Sequence, residues 1–309
     1  PHLGLKAMFT MMNNARLNVG VQGIAIAERS YQKALSFAKD RKQGYSLNKT
    51  IKEPVNIIEH PDVKRMLMEM KSQIEAMRGL AVITGETLDY SKQYSNSEKG
   101  KHYLNLANLL TPIVKSWCTD QSVYITSLGI QVHGGMGFIE DTGAAQYYRD
   151  SRILPIYEGT NGIQALDLLK RKLFLENGKT FTKLLEKMRN EAETCKKSSL
   201  SEIITMGDLL NSSINSLENA ANWLKEELKR NPENAAAGAT PFLNMFGWTL
   251  GGWVMCKSSM HAISNEDLNE RFCKDKINTS LFFCTTYLPT SSSLLSTIKC
   301  SYKTVGTIC

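Results

Sequence analysis

The chain has 309 residues and a formal net charge of +7, enough length to bury a sizeable core in one or two domains. Its lysines are spread along the chain instead of forming a basic patch with interleaved aromatics, which weighs against nucleic-acid binding, and no run of about eighteen apolar residues is present to form a membrane span. Seven cysteines, irregularly spaced and without a Cys-x-x-Cys pair, weigh against a zinc site or disulfide framework and favour a reducing compartment.

Eight prolines, abundant Leu, Met, Ala, Lys and Glu, and little β-type alternation predict an all-α fold. The start at Pro1-His2-Leu3 offers no signal or transit peptide. The reducing compartment favoured by the cysteines makes the expected location cytoplasmic, or the mitochondrial matrix in a eukaryote. Leu5 to Lys42 reads as one long helix whose Gly20 and Gly23 suit close helix packing. Tyr45 to Pro61 reads as a loop broken by Pro54 and Pro61, with Asp62 as a cap or first-turn acid of the next helix. Val63 to Tyr90 carries Met66, Met70, Ile74, Met77, Leu80 and Ile83 at helical spacing, a stripe better suited to a core than to a cofactor. Asp89 to Lys101 is a polar connection, and Tyr103 to Gly129 a third long helix. With the helix after Thr160, these would form an antiparallel bundle with short joints.

Beyond Arg171 the texture changes, and 1–172 and 173–309 are taken as two helical domains. Asn177-Gly178-Lys179 is a break. Thr180 to Lys197 and Leu200 to Lys229 are amphipathic, the second offering Ile204, Leu209, Leu210, Ile214, Leu217 and Trp223 to a core. Asn231-Pro232-Glu233 is a stop and restart. Ala235 to Ile263, with Trp248, Gly251, Gly252 and Trp253, reads as a close-packed apolar helix. Leu268 to Cys309 reads as helix broken near Pro289.

The chemistry-bearing residues lie near the end of the first of these two domains. His133-Gly134-Gly135-Met136-Gly137-Phe138 lets the backbone turn sharply or approach a ligand. It is not a dinucleotide fingerprint, because helix and not strand precedes it, and no Gly-x-Ser-x-Gly supplies a nucleophile for an oxyanion-hole reading. A helix-ending turn explains it equally well. Glu158 follows the apolar run Ile153-Leu154-Pro155-Ile156-Tyr157, where a partly desolvated carboxylate suits a general base. It also reads as a first-turn acid favoured by the helix dipole, with Thr160 or Asn161 as the cap. Arg149, Asp150 and Arg152 read as a structural ion-pair cluster.

Together, Gln131-Val-His-Gly-Gly-Met-Gly-Phe138, Tyr148-Arg-Asp-Ser-Arg152 and Ile156-Tyr-Glu-Gly-Thr-Asn-Gly-Ile-Gln164 resemble the C-terminal half of the acyl-CoA dehydrogenase family. The likeness extends upstream through Asn14–Glu28, Ala38–Gly44 and Ile58–Asp62. The tail past Arg171 is similar to the extra C-terminal region of one subgroup. The resemblance implies an antiparallel helical-bundle domain followed by an additional helical domain. It makes Glu158 the base that removes the α-proton of an acyl-CoA thioester while the β-hydrogen leaves as hydride to N5 of FAD, giving a trans-2-enoyl-CoA. Some relatives carry the base on an earlier helix, but Asn13-Asn14-Ala15-Arg16 offers no carboxylate. The resemblance also implies flavin contacts at Arg41, Gln43, His60, Gln131, Gly134, Gly135, Thr160, Asn161 and Gly162, those of Arg41 and Gln43 reaching FAD in a neighbouring subunit. Asn13, Arg16 and Gly159 fall on the substrate side. A homodimer or homotetramer passing electrons to an electron-transfer flavoprotein is expected. Two positions depart from the family pattern: His133 replaces a common aliphatic residue, and Gly44 stands where many members have an aromatic followed by glycine.

Full members of the family carry an N-terminal helical domain and a middle β-barrel-like domain. Neither is found in these 309 residues, so the expectation is a C-terminal portion that is inactive alone. The competing reading is a non-enzymatic helical assembly or DNA-associated module, like an alkylation-response branch of the same family. Strong, salt-dependent duplex binding would mark it; the dispersed lysines and the intact Glu158 motif weigh against it.

Overall fold

The computed structural model describes residues 4–47 and 53–305. Helices α1 (Gly4–Asp40), α2 (Pro61–Gln93) and α3 (Glu98–His133) are the long rods that the apolar spacing requires, and they pack on one another. Glycines set how closely α1 lies on α3. A Cβ on Gly20 would stand 2.9 Å from the Val114 carbonyl oxygen, and one on Gly23 3.1 Å from that of Cys118. Met66, Met70, Ile74, Met77 and Leu80 are buried, so the methionine stripe of α2 is core. Asp62 is a first-turn acid bonded to Arg65 at 2.9 Å.

The segment expected as loop from Tyr45 to Pro61 is partly ordered, although its residues 48–52 lie outside the described residues. Strand β1 (Lys42–Tyr45) pairs antiparallel with β2 (Pro54–Asn56), and a 3-10 turn, Ile57–Glu59, leads into α2. Every residue of β1 is exposed, so no apolar alternation marks it in the sequence. The α2–α3 connection is shorter than expected, Tyr94 to Ser97. Ser97 caps α3 by accepting from the Gly100 N–H at 3.1 Å, and the polar flanks are helical.

After α3 come three short helices, α4 (Gly135–Phe138), α5 (Ala144–Ser151) and α6 (Asn161–Asp167), the last continuing as a π turn, Leu168–Lys172. The chain then reverses through Glu176, Asn177 and Gly178, all at positive φ. Helices α7 (Lys179–Lys196), α8 (Ser201–Arg230), α9 (Pro232–Ala237), α10 (Ala239–Ser264), α11 (Glu270–Tyr287) and α12 (Thr290–Val305) follow; residues 306–309 lie outside the described residues. Asn231 accepts from the Asn234 N–H and caps α9. The apolar stretch from Ala235 is divided at Gly238 between α9 and α10. The buried face of α8 runs through Ile203, Met206, Leu210, Ile214 and Leu217, while Ile204, Leu209 and Trp223 flank it half-buried.

Helix α10 is apolar through most of its length, with Lys257 and His261 exposed near its end, and is packed against α2, α3, α7, α8, α11 and α12. Trp117 of α3 meets Trp248 of α10 edge-on, ring centres 5.3 Å apart. One apolar core therefore runs from the first helices to the last. Among the described residues no helix is long and apolar enough to cross a membrane.

Candidate active site

The turn between α5 and α6 contains backbone in the left-handed region. Glu158 has φ +56° and Gly159 φ +87°, left-handed values that a glutamate adopts only when its surroundings impose them. The Asn161 N–H donates back to the Pro155 carbonyl at 3.0 Å and closes the loop. Thr160 accepts from the Ile163 N–H and caps α6, which settles the two sequence alternatives for the cap in favour of Thr160.

Buried side chains hold this turn from beneath. The Glu158 carbonyl accepts from Arg16 Nε at 3.3 Å and Gln164 Nε2 at 3.4 Å. The Gly159 carbonyl accepts from Lys115 Nζ at 2.8 Å and Gln164 Nε2 at 3.3 Å. Lys115 also donates to Asn161 Oδ1 at 2.8 Å. The Asn161 amide nitrogen donates to the Ser116 carbonyl, Thr119 Oγ1 and Asp120 Oδ1, the last at 2.7 Å. Arg16 is itself buried, with NH1 3.6 Å from Asp167 Oδ2 and 3.5 Å from Asn13 Oδ1. Glycine is needed at 159: a Cβ there would stand 2.8 Å from Gln164 Nε2, quite apart from its φ.

The half-buried Glu158 carboxylate is treated differently from its backbone. Among the described residues it has no hydrogen-bond or ion-pair partner. The groups around it carry the electrostatic load. Burial holds the Lys115 ammonium down to about 8, against the pull of Asp120 and Glu158 and with the push of Arg16. Burial raises the Asp120 carboxyl, opposed by its hydrogen bond from Asn161 and by Lys115 and Arg152. Lys172 is lowered by burial and partly restored by Asp167.

The expected site residues fall into two groups. Asn13, Arg16, Gly159, Thr160, Asn161 and Gly162 gather with Glu158. Arg41, Gln43, His60, Gln131, Gly134 and Gly135 instead line a cleft of about 690 Å³ where the ends of α1 and α3 meet β1. There His60 Nε2 lies 2.7 Å from the Gln43 carbonyl oxygen. His133 stacks on Phe37, ring centres 4.5 Å apart, and its Nδ1 lies 2.6 Å from the Gly129 carbonyl, so it forms the buried floor of the cleft. Gly134, at φ +59°, and Gly135 have nothing within 4 Å of where a Cβ would stand. They leave room for a ligand to approach the backbone. Gly44 faces His60, with room for a Cβ in contact with the ring, and its φ of +72° favours glycine. Arg149 pairs with Glu140 at 2.8 Å, an exposed structural ion pair.

Sequence reading did not single out Lys115, Asp120, Gln164 or Asp167 as site residues. Lys115 left one trace: a lone lysine within Leu109-Leu110-Thr111-Pro112-Ile113-Val114-Lys115-Ser116-Trp117. Asp167 left none, because its partner Arg16 stands near the other end of the segment.

Fold and site thus define a helical bundle that presents one unpartnered carboxylate on a pinned turn and, separately, a glycine-floored polar cleft. Residues 2–173 match the family description "Acyl-CoA dehydrogenase, C-terminal domain", and residues 184–307 match "Acetyl-CoA dehydrogenase C-terminal like". The 3-methylmercaptopropionyl-CoA dehydrogenase of Ruegeria pomeroyi is 43% identical over 84% of this chain and 44% of its own length. The broad-specificity linear acyl-CoA dehydrogenase FadE5 of Mycobacterium tuberculosis is 28% identical over 96% of this chain and 51% of its own. A solved Bacillus anthracis acyl-CoA dehydrogenase complexed with FAD has the same fold, with a TM-score of 0.76 at 19% identity, over 96% of this chain and 50% of that one. The chain belongs to the acyl-CoA dehydrogenase family, whose members are flavin-dependent oxidoreductases acting on CH–CH donors. It spans about half the length of the curated relatives it matches.

Proposed function

We propose that this chain serves FAD-dependent α,β-dehydrogenation of an acyl-CoA thioester, with Glu158 as the base. One observation carries the reading: four side-chain hydrogen bonds hold the Glu158 and Gly159 carbonyls while the Glu158 carboxylate is left without a partner. A general base must be fixed in place and still have a free oxygen for the proton it takes. Glu158 removes the α-proton, and the electrons of that C–H bond become the Cα=Cβ bond of the trans-2-enoyl product. Bound FAD supplies the acceptor, at N5, for the β-hydrogen and its electron pair.

The cleft of Arg41, Gln43, His60, Gln131, Gly134 and Gly135 fits part of such a cofactor. Arg41 offers a cation to a pyrophosphate, and the open glycines admit a close approach. Because the cleft and the Glu158 turn are lined by separate residues, we assign the cleft to FAD held mainly by a neighbouring subunit of a homodimer or homotetramer. Thr160, Asn161 and Gly162 act on the flavin through the turn they build. Asn13, Arg16 and Gly159 stand on the thioester side, and an electron-transfer flavoprotein is the proposed electron acceptor. A division into domains 1–172 and 173–309 is supported by the family matches ending at 173 and beginning at 184. The cysteines, free among the described residues, fit a cytoplasmic or mitochondrial-matrix location.

The first test is flavin retention. After incubation with FAD and gel filtration, the protein is expected to keep a flavin absorption band, and Arg41→Ala to lose most of it. Equal retention by Arg41→Ala would remove the cleft from the account.

A further inference from the structure

Lys115 of α3 is completely buried, a place where methionine would fill similar volume. An ammonium group there has left water at a cost, which only good hydrogen bonds offset. Its two bonds bracket the strained backbone: the Gly159 carbonyl and Asn161 Oδ1, each at 2.8 Å. Asn161 is tied in turn to Ser116, Thr119 and Asp120 on the same helix. Helix α3 therefore grips the turn at both ends, and the left-handed Glu158 lies just outside that grip.

We propose that Lys115 is a positioning residue whose ammonium sets the backbone of Glu158–Asn161 and so aims the Glu158 carboxylate. The functional half of this inference rests on Glu158 being the base; the anchoring half does not. Arg16 faces Lys115 from α1, Asp120 from its own helix, and Glu158 from the turn. Among these, proton loss from Lys115 near pH 8 weakens the charge-assisted bonds that fix the turn.

The anchoring is tested by backbone amide exchange in the chain, comparing wild type with Lys115→Met. The Asn161 amide, bonded to Pro155, is expected to exchange about tenfold or more faster in the variant, as the loss of charged hydrogen bonds implies, with amides in the middle of α3 unchanged. Unchanged exchange at Asn161, or equal loosening along α3, overturns the proposal. If Lys115→Met does not fold, Asn161→Ser decides. It removes the lysine's Oδ1 acceptor together with the amide's own bonds to Ser116, Thr119 and Asp120 while keeping the lysine, and it must loosen the turn in the same direction; no change at the Tyr157 and Gln164 amides overturns the proposal.

The aiming is tested in FAD-loaded protein in which residues 1–309 replace the matching half of the 43% identical relative. Lys115→Met is expected to lower kcat at least about tenfold with KM within about twofold. The fall in rate as pH rises through about 8 is expected in wild type and absent in the variant. An unchanged kcat and an unchanged alkaline limb overturn the aiming role. If wild type exchanges no α-proton in that graft while the amide effect is present, it is the assignment of Glu158 as base that fails, and the anchoring stands.

Discussion

Arg16 and Asp167 form an ion pair, NH1 to Oδ2 at 3.6 Å, with side chains only 7% and 3% exposed. The pair ties α1 to α6, and the same guanidinium holds the Glu158 carbonyl. Asp167 has a second cation in the more exposed Arg171, whereas no other carboxylate pairs with Arg16 among the described residues.

That asymmetry orders two variants. Asp167→Asn leaves Arg16 buried without a counter-charge and is expected to cost about 3–5 kcal/mol. Arg16→Met leaves Asp167 with Arg171 and is expected to cost less. Urea unfolding of both variants checks the order; equal costs, or the reverse, contradict the geometry.

The φ of +56° at Glu158 is a stored cost. Glu158→Gly is expected to raise stability by about 1 kcal/mol, because glycine adopts the left-handed region without the side-chain penalty, while removing the carboxylate. A lower denaturation midpoint in this variant would mean that the glutamate side chain stabilises the turn.

Two glycines make opposite predictions for the same change. A Cβ on Gly247 of α10 would stand 2.3 Å from Trp117 Cγ, so Gly247→Ala is expected to cost about 1–3 kcal/mol through overpacking. Gly85 of α2 has nothing within 4 Å, and Gly85→Ala is expected to gain about 0.5–1 kcal/mol of helix preference. Thermal unfolding of the pair reads both signs at once.

His133 gives the pH dependence. Burial lowers it from 6.5, with Lys33 adding to the effect and the Gly129 carbonyl opposing it. The folded state therefore favours the neutral ring. The stability it contributes is complete above about 6.5 and is lost as pH falls through the lower folded value. His133→Gln is expected to flatten that acid limb in thermal unfolding. An identical slope in both proteins would assign the limb to other groups.

The long helices were legible because Met66, Met70, Ile74, Met77 and Leu80 recur at helical spacing and all face the core. On α8, Leu210, Ile214 and Leu217 were placed on the buried face, but Ile204 was chosen where Ile203 is the buried residue, since both neighbours are apolar and periodicity alone cannot choose between them. The β1–β2 pair was invisible because an exposed four-residue strand has no buried face to pattern. At the site, the motif around Glu158 was readable along the chain, with Thr160 and Asn161 left as alternative caps until the Ile163 N–H bond to Thr160 decided between them. Of the residues that hold the turn, Arg16 and Asn161 were named through the family resemblance, while Lys115 and Gln164 were not. Lys115 reaches the turn across a distance in sequence that only the packing of α3 against it brings together.

The measurement closest to the central claim is α-proton exchange of an acyl-CoA in deuterated water. It is made in FAD-loaded protein and in a graft of residues 1–309 replacing the matching half of the 43% identical relative. Wild type is expected to exchange in the graft, and Glu158→Gln to exchange about 10²- to 10⁴-fold more slowly, the usual contribution of a positioned base, with flavin content unchanged. Exchange by Glu158→Gln at the wild-type rate would contradict the account, and the base would have to be sought elsewhere.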